Sequence, residues 1–218
     1  MNDYLSVIRL GYGKGQPGQQ ACWMTALQSH LGGQWTDQCE CVDPVINSLC
    51  IRINDLYGSD DAARTEDVLA FGLFRPIGTR GTRDDTMKRM WFLIDLSIRT
   101  WAPITLRLCK REDLAVRLES LPQVTAETIN EVREVTKAVR KAADAAAAAA
   151  AAADAAAAAY AAAYAAADAA AAARRKFIKE HLFPALDKLI EMGPHSPDEP
   201  TAPACGVPEF HRLVGVGH

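Results

Sequence analysis

An all-α fold is predicted by three features of this 218-residue chain. Apolar residues recur at helical spacing through its first half. Each such run is bounded by capping or helix-breaking residues. A nearly pure alanine stretch then runs from Ala142 to Ala173. Together they predict a bundle of about five short helices followed by one long alanine-rich helix, with a short N-terminal strand over Tyr4 to Leu10. The expected organisation is a helical bundle over residues 1–122, the alanine helix with an amphipathic end over 123–192, and a disordered proline-rich tail over 193–218.

The elements follow in order. Gly11 to Gln20 is turn chemistry. A helix is expected from about Gln19 to Leu31, with Cys22, Ala26, Leu27, His30 and Leu31 on one face and Gly32-Gly33 as its stop. Asp43-Pro44 starts the second helix as cap and first residue, with Ile46, Leu49, Cys50, Ile53 and Tyr57 inward, and Gly58 ends it. Asp60 or Asp61 caps a third, which carries Val68, Leu69, Phe71, Leu73 and Phe74 and closes at Pro76. Asp84 or Asp85 opens the strongest amphipathic helix, whose stripe is Met87, Met90, Trp91, Ile94, Ile98 and Trp101, widened by Leu93; Pro103 is expected to end it. One or two short helices then place Leu106, Leu114, Leu118 and Leu121 inward before Pro122. Thr125 caps the last helix, in which Ile129, Val132, Val135 and Val139 hand over to the alanines. Pro184 is expected to kink or break the segment from Phe177 to Ile190, and five prolines from Pro194 to Pro208 mark the tail.

Alanine is the best helix former because it loses no rotamer entropy. Its run of roughly 48 Å has no Gly or Pro to interrupt it, yet buries little apolar area. A heptad seam from Val132 through Val135, Val139, Ala142 and Tyr160 and on to Ala170 avoids Asp144, Asp154 and Asp168. Homo-oligomerisation is therefore expected through this helix, with Val132, Val135, Val139, Tyr160 and Tyr164 at the interface. The alternatives are a helix lying across its own bundle and a solvated spacer.

A formal charge of −3 gives no pull toward nucleic acid or anionic membrane. The aspartates in the alanine stretch argue against a membrane span, and no basic start precedes an apolar run, so a cytoplasmic protein is expected. The six cysteines are read as reduced core thiols. Cys39-Glu40-Cys41 lacks the second ligand pair of a zinc site, so no metal or cofactor is expected.

Four stretches carry candidate chemistry. Gly11 to Gly18, with Lys14, sets glycines and one cation before a helix, as anion sites do, but lacks the Walker spacing and also reads as a flexible loop. Thr79, Arg80, Thr82 and Arg83, followed by Lys88 and Arg89, put hydroxyls, cations and backbone N–H groups at one helix start, which suits phosphate or carboxylate; pairing with Asp84 or Asp85 is the bland reading. Cys22 stands at a helix N-terminus, where a thiol pKa falls, but no base partner is assignable, and a buried structural thiol is the stronger reading. Thr36 and Asp37 suit local hydrogen bonding in the loop before Asp43.

Several of these motifs resemble those of alanine-rich helical proteins from phages and bacteria. They are Ala21-Cys22-Trp23-Met24-Thr25-Ala26, Thr36-Asp37 with Cys41-Val42, Asn54-Asp55, Gly78-Thr79-Arg80 and the alanine helix. Many members carry His after Thr-Asp, where this chain has Gln38. The resemblance implies a phage or mobile-element setting, hence host cytoplasm, and no activity. The expectation is thus a non-enzymatic oligomeric binding protein for an anionic, nucleotide-like small molecule held near residues 78–89, of the kind that would sequester an immune signalling nucleotide. The alternative is a helical interaction or scaffold protein without a ligand. An enzyme ranks third, because no acid/base pair or nucleophile triad can be assembled.

Overall fold

A computed structural model describes residues 9–13, 15, 20–153 and 171–193, with side chains described up to residue 143 and again from 171. The fold is mostly helical, as expected. Its elements are α1 (Trp23–His30), α2 (Pro44–Leu56), α3 (Asp61–Phe71), α4 (Arg83–Leu96), α5 (Ala102–Leu108), α6 (Glu112–Glu119), α7 (Ile129–Ala153) and α8 (Phe183–Glu191), with π-helical turns at Ser97–Trp101 and Ile178–Leu182. The expected strand over Tyr4 to Leu10 lies mostly outside the described residues; Leu10 forms one isolated parallel bridge with Ala21. The tail and the stretch holding Tyr160 and Tyr164 also lie outside them.

Contacts divide the chain into two compact units, residues 1–86 with 171–218, and residues 87–170. This differs from the expected division near residue 122. The helices on both sides of Pro122 share one core, and α8 packs on α2. Only the second of these pairings joins elements far apart in the sequence.

In the first unit, each helix start uses the chemistry its sequence offers. Asp43 caps α2 by accepting from the Val45 amide, and Asp60 caps α3 by accepting from Ala63. Helix α1 begins later than expected because Cys22 is its cap, with Sγ accepting from the Thr25 amide at 3.4 Å. Trp23, Met24, Leu27, Ile46, Ile53, Val68, Ile178, Leu186 and Leu189 are fully buried. The Trp23 indole donates to the Leu73 carbonyl at 2.8 Å, which satisfies its one polar atom inside the core. Phe71 and Phe183 stack at 4.8 Å, and Trp23 meets Phe71 edge-on at 5.8 Å.

Two buried polar groups tie this unit together. Arg64 is completely enclosed: Nε donates to the Asn54 carbonyl at 2.9 Å, Nη1 to the Leu10 carbonyl at 3.4 Å and to Asp61, and Nη2 to the Gly58 carbonyl. Asn54 accepts from the Trp23 amide at 3.1 Å and donates to the Gly11 carbonyl at 3.1 Å. Asp67 is the second group. It accepts from Arg175 Nε at 2.7 Å, Tyr57 Oη at 2.9 Å and Lys179 Nζ at 3.3 Å. Burial pushes its carboxyl up, but the bonds from Arg175, Tyr57 and Lys179 outweigh that and hold it below the usual aspartate range. Burial, followed by the Asp67 hydrogen bond and charge, drives the Tyr57 phenol well above its ordinary value.

The second unit has its own core of Leu114, Leu118, Leu121, Val124, Val132 and Val139, with Trp91, Ile94, Ile98, Leu106, Ile129, Val135 and Ala142 packed against it. Val132 and Val139, expected at an oligomer interface, are buried in this core, and Val135, half-buried, packs against it, with apolar partners from α6 and the second-unit residues of α4. Thr125 does organise the start of the last helix, since its carbonyl accepts from Ile129 and its amide donates to Thr128. Pro103, expected to end its helix, does not, and at Pro184, expected to kink or break its segment, the helical path runs on without a break. Each follows a π turn, at Ser97–Trp101 and Ile178–Leu182, and lies in the first turn of the next α-helix. The wider turn shifts the hydrogen-bond register ahead of the missing N–H, and the helical path continues.

Arg64→Met keeps the length of the side chain but strands three backbone carbonyls that no neighbour can replace. A loss of about 3–5 kcal/mol is expected, read as a lower urea midpoint. For Asp67 the sign follows from its depressed folded pKa. Its contribution is complete above the unfolded value near 3.9 and is lost as pH falls through the folded value. The stability gap between the wild type and Asp67→Asn should therefore be about 2 kcal/mol near neutrality and shrink at acid pH, measured by urea titration at a series of pH values. A gap independent of pH would contradict this role.

Candidate functional site

The strongest of the expected sites, the stretch from Gly78 to Arg83, is a loop leading into α4. It is fastened to the segment that starts α2. The Cys41 carbonyl accepts from the Gly78 amide at 3.0 Å and the Arg80 amide at 3.3 Å. Thr79 is buried, and its hydroxyl donates to the Pro76 carbonyl at 2.7 Å while accepting from the Asp43 amide at 3.1 Å. Asp43, also buried, accepts from the Val45 amide at 2.9 Å and from the Thr86 hydroxyl at 2.6 Å. One carboxylate thus caps α2 and holds the first turn of α4.

The start of α4 is closed by a reciprocal pair. Asp85 Oδ2 accepts from the Thr82 amide at 3.0 Å and the Thr82 hydroxyl at 2.9 Å, and the Asp85 amide donates back to Thr82 Oγ1 at 3.2 Å. This is a capping box with aspartate in the return position. Gly81 is required by it, because a Cβ there would sit 2.7 Å from Asp85 Oδ2. Gly78 adopts a φ of +76°, a left-handed conformation that glycine takes without strain.

These bonds sort the expected ligand residues. Thr79 and Thr82 spend their hydroxyls on the fold, and the amides of Gly78, Arg80 and Thr82 are spent as well. Arg80 and Arg83 are exposed, and neither forms an ion pair among the described residues. Lys88 and Arg89 belong to the second unit; Lys88 is exposed, but Arg89 is completely buried and does not present its guanidinium to solvent. Lys14 lies outside the described residues. What remains is two arginines on a rigid loop, able to make charge-assisted hydrogen bonds to phosphate or carboxylate oxygens.

The other candidates have structural work. Cys22 caps α1 and lies 3.1 Å from the Thr25 hydroxyl, almost wholly enclosed. Burial, and then the proximity of Cys22, pushes the Cys50 thiol well above its ordinary value. His30 stands 4.7 Å from the Phe74 ring, and burial lowers its pKa. The Asp37 carbonyl and the Cys39 amide both bond Asn47, at 2.9 Å and 3.2 Å, which pins that loop to α2. Asn47 was missed from sequence as an organising group, its only signal being an amide on the apolar face of a helix, and Asn54 was marked only through the Asn54-Asp55 motif of the resemblance, without a role.

Comparison with protein-family models, with curated proteins and with solved structures finds no match to this chain. The residues themselves must carry the functional reading. Among the described residues no group of three or more His, Cys, Asp or Glu side chains is placed to hold a metal ion, and no helix is long and apolar enough to cross a membrane.

Thr79→Val preserves the shape of this side chain and removes both its bonds, leaving the Asp43 amide and the Pro76 carbonyl unsatisfied in a buried setting. A cost of about 1–3 kcal/mol is expected in urea unfolding, with faster amide hydrogen exchange at Asp43. Unchanged stability would show that Thr79 does not fasten the loop.

Proposed function

We propose that the chain is a non-enzymatic binding protein for an anionic small molecule, nucleotide-like in chemistry, which Arg80 and Arg83 engage through phosphate oxygens. The observation that carries this reading is the pair of exposed guanidiniums, without an ion-pair partner among the described residues, on a loop whose backbone is fastened at Cys41, Asp43 and Asp85. A fixed loop lowers the ordering cost of binding, which mobile surface arginines incur in full. In the phage setting that the sequence resemblance implies, such a protein would sequester a signalling nucleotide of host immunity, with self-association through the alanine helix multiplying its sites. The second reading, a helical interaction protein with no small-molecule ligand, draws on Leu108 and Val116, which are exposed on α5 and α6.

A thermal-shift screen at low salt against mono-, di- and cyclic nucleotides, with inorganic phosphate as control, separates the two. A ligand at about 100 times its Kd adds about 2.7 kcal/mol and raises Tm by several degrees. Arg80→Ala and Arg83→Ala should each weaken binding about tenfold without lowering the Tm of the unliganded protein. No shift across the panel would overturn the binding reading and leave the interaction reading.

A further inference from the structure

Beneath the arginine loop lies a feature that ligand binding does not use. Cys39 Sγ and Cys41 Sγ approach to 3.2 Å, and both residues are almost fully buried. The Val42 amide donates to the Cys39 carbonyl at 3.1 Å, so residues 39–42 form a turn that brings the two sulfurs to one side. The turn is held at both ends, by Asn47 at the Cys39 amide and by the Gly78 and Arg80 amides at the Cys41 carbonyl. Gln38 and Glu40, alternating with the cysteines, are exposed, so a small opening of this stretch brings the thiols to solvent.

We propose that Cys39 and Cys41 form a redox-active dithiol, closed by exchange with a low-molecular-weight disulfide such as oxidised glutathione. One protein thiol, as thiolate, attacks a sulfur of the small disulfide, forming a mixed disulfide and releasing one small thiol, which takes up the proton. The second protein thiol then attacks the protein-side sulfur of that mixed disulfide and releases the second small thiol with its proton. Two electrons pass from the protein to the oxidant, and one intramolecular S–S bond forms. Bond formation draws the sulfurs from 3.2 Å to about 2.05 Å. In a turn closed by a single intervening residue, that contraction is shared between the two side chains and the backbone around Cys41. The Cys41 carbonyl anchors Gly78 and Arg80, so oxidation loosens the loop that carries Arg80. The proposal stands apart from the ligand reading, since none of its readouts involves a nucleotide.

The test equilibrates the full-length protein anaerobically with glutathione buffers of graded ratio, quenches in acid, alkylates, and cleaves before aspartate. Cleavage at Asp37 and Asp43 releases residues 37–42, which contain these two cysteines and no other. The expected result is progressive loss of both alkyl groups from this peptide, with a mass two hydrogens below the reduced form. Cys39→Ser and Cys41→Ser should each instead hold a glutathione adduct on the remaining thiol. A peptide 37–42 still doubly alkylated in the most oxidising buffer, or oxidation mapped to other cysteines alone, would overturn the proposal even if the variants fail to fold. In the wild type, oxidation should speed hydrogen exchange at the Gly78 and Arg80 amides about tenfold; unchanged rates would overturn the coupling to the loop.

Discussion

The first unit depends on one buried guanidinium. Arg64 reaches from α3 to the carbonyls of Leu10, Asn54 and Gly58 and to the Asp61 carboxylate. Its targets are the N-terminal segment, the end of α2 and the turn before α3, three places where backbone acceptors would otherwise be buried without a donor. No other side chain offers five donors in a rigid plane. Burying a charge this completely is costly, and the cost is offset only because nearly every donor has an acceptor in place. Asn54 extends the same arrangement, since its carbonyl serves Arg64 while its side chain serves Trp23 and Gly11. The start of α1 is thereby set by residues on α2 and α3.

The same economy of backbone groups shapes the candidate site. A loop rich in glycine, threonine and arginine before a helix has the composition of an anion site, but composition does not say whether its amides are available. Here Cys41 and Asp85 have taken them, and Thr79 and Thr82 have turned inward. What the loop leaves exposed is two guanidiniums on a backbone fastened at Cys41 and Asp85.

Much of the helical pattern was legible in the chain. Asp43-Pro44, Asp60 and the glycine after α2 act locally, within a turn or two, so their effect survives any tertiary arrangement, whereas α3 stops at Phe71 and Gly72, short of the expected Pro76. Legibility failed where a local rule met a longer-range accommodation. Pro103 and Pro184 read as breaks because a proline lacks an N–H; the π turns ahead of them were invisible, because a register shift leaves no mark in composition. Cys22 caps α1 from just outside it, which propensity does not signal, since a thiol is a weak acceptor and a poor cap.

The sequence by itself determined that the chain is helical, where most helices start and which way most apolar stripes face, because capping and amphipathic periodicity are properties of neighbours along the chain; Met87 and Cys109, expected inside, are exposed. Tertiary structure alone decided partnership. It put Val132 and Val139 into a core with Leu114 and Leu118. It also joined Asp67 to Arg175 across 108 positions of sequence, and separated the arginines that face water from Arg64 and Arg89, which are enclosed. Those outcomes depend on which acceptor or apolar surface arrives from elsewhere in the chain, and no local pattern carries that information.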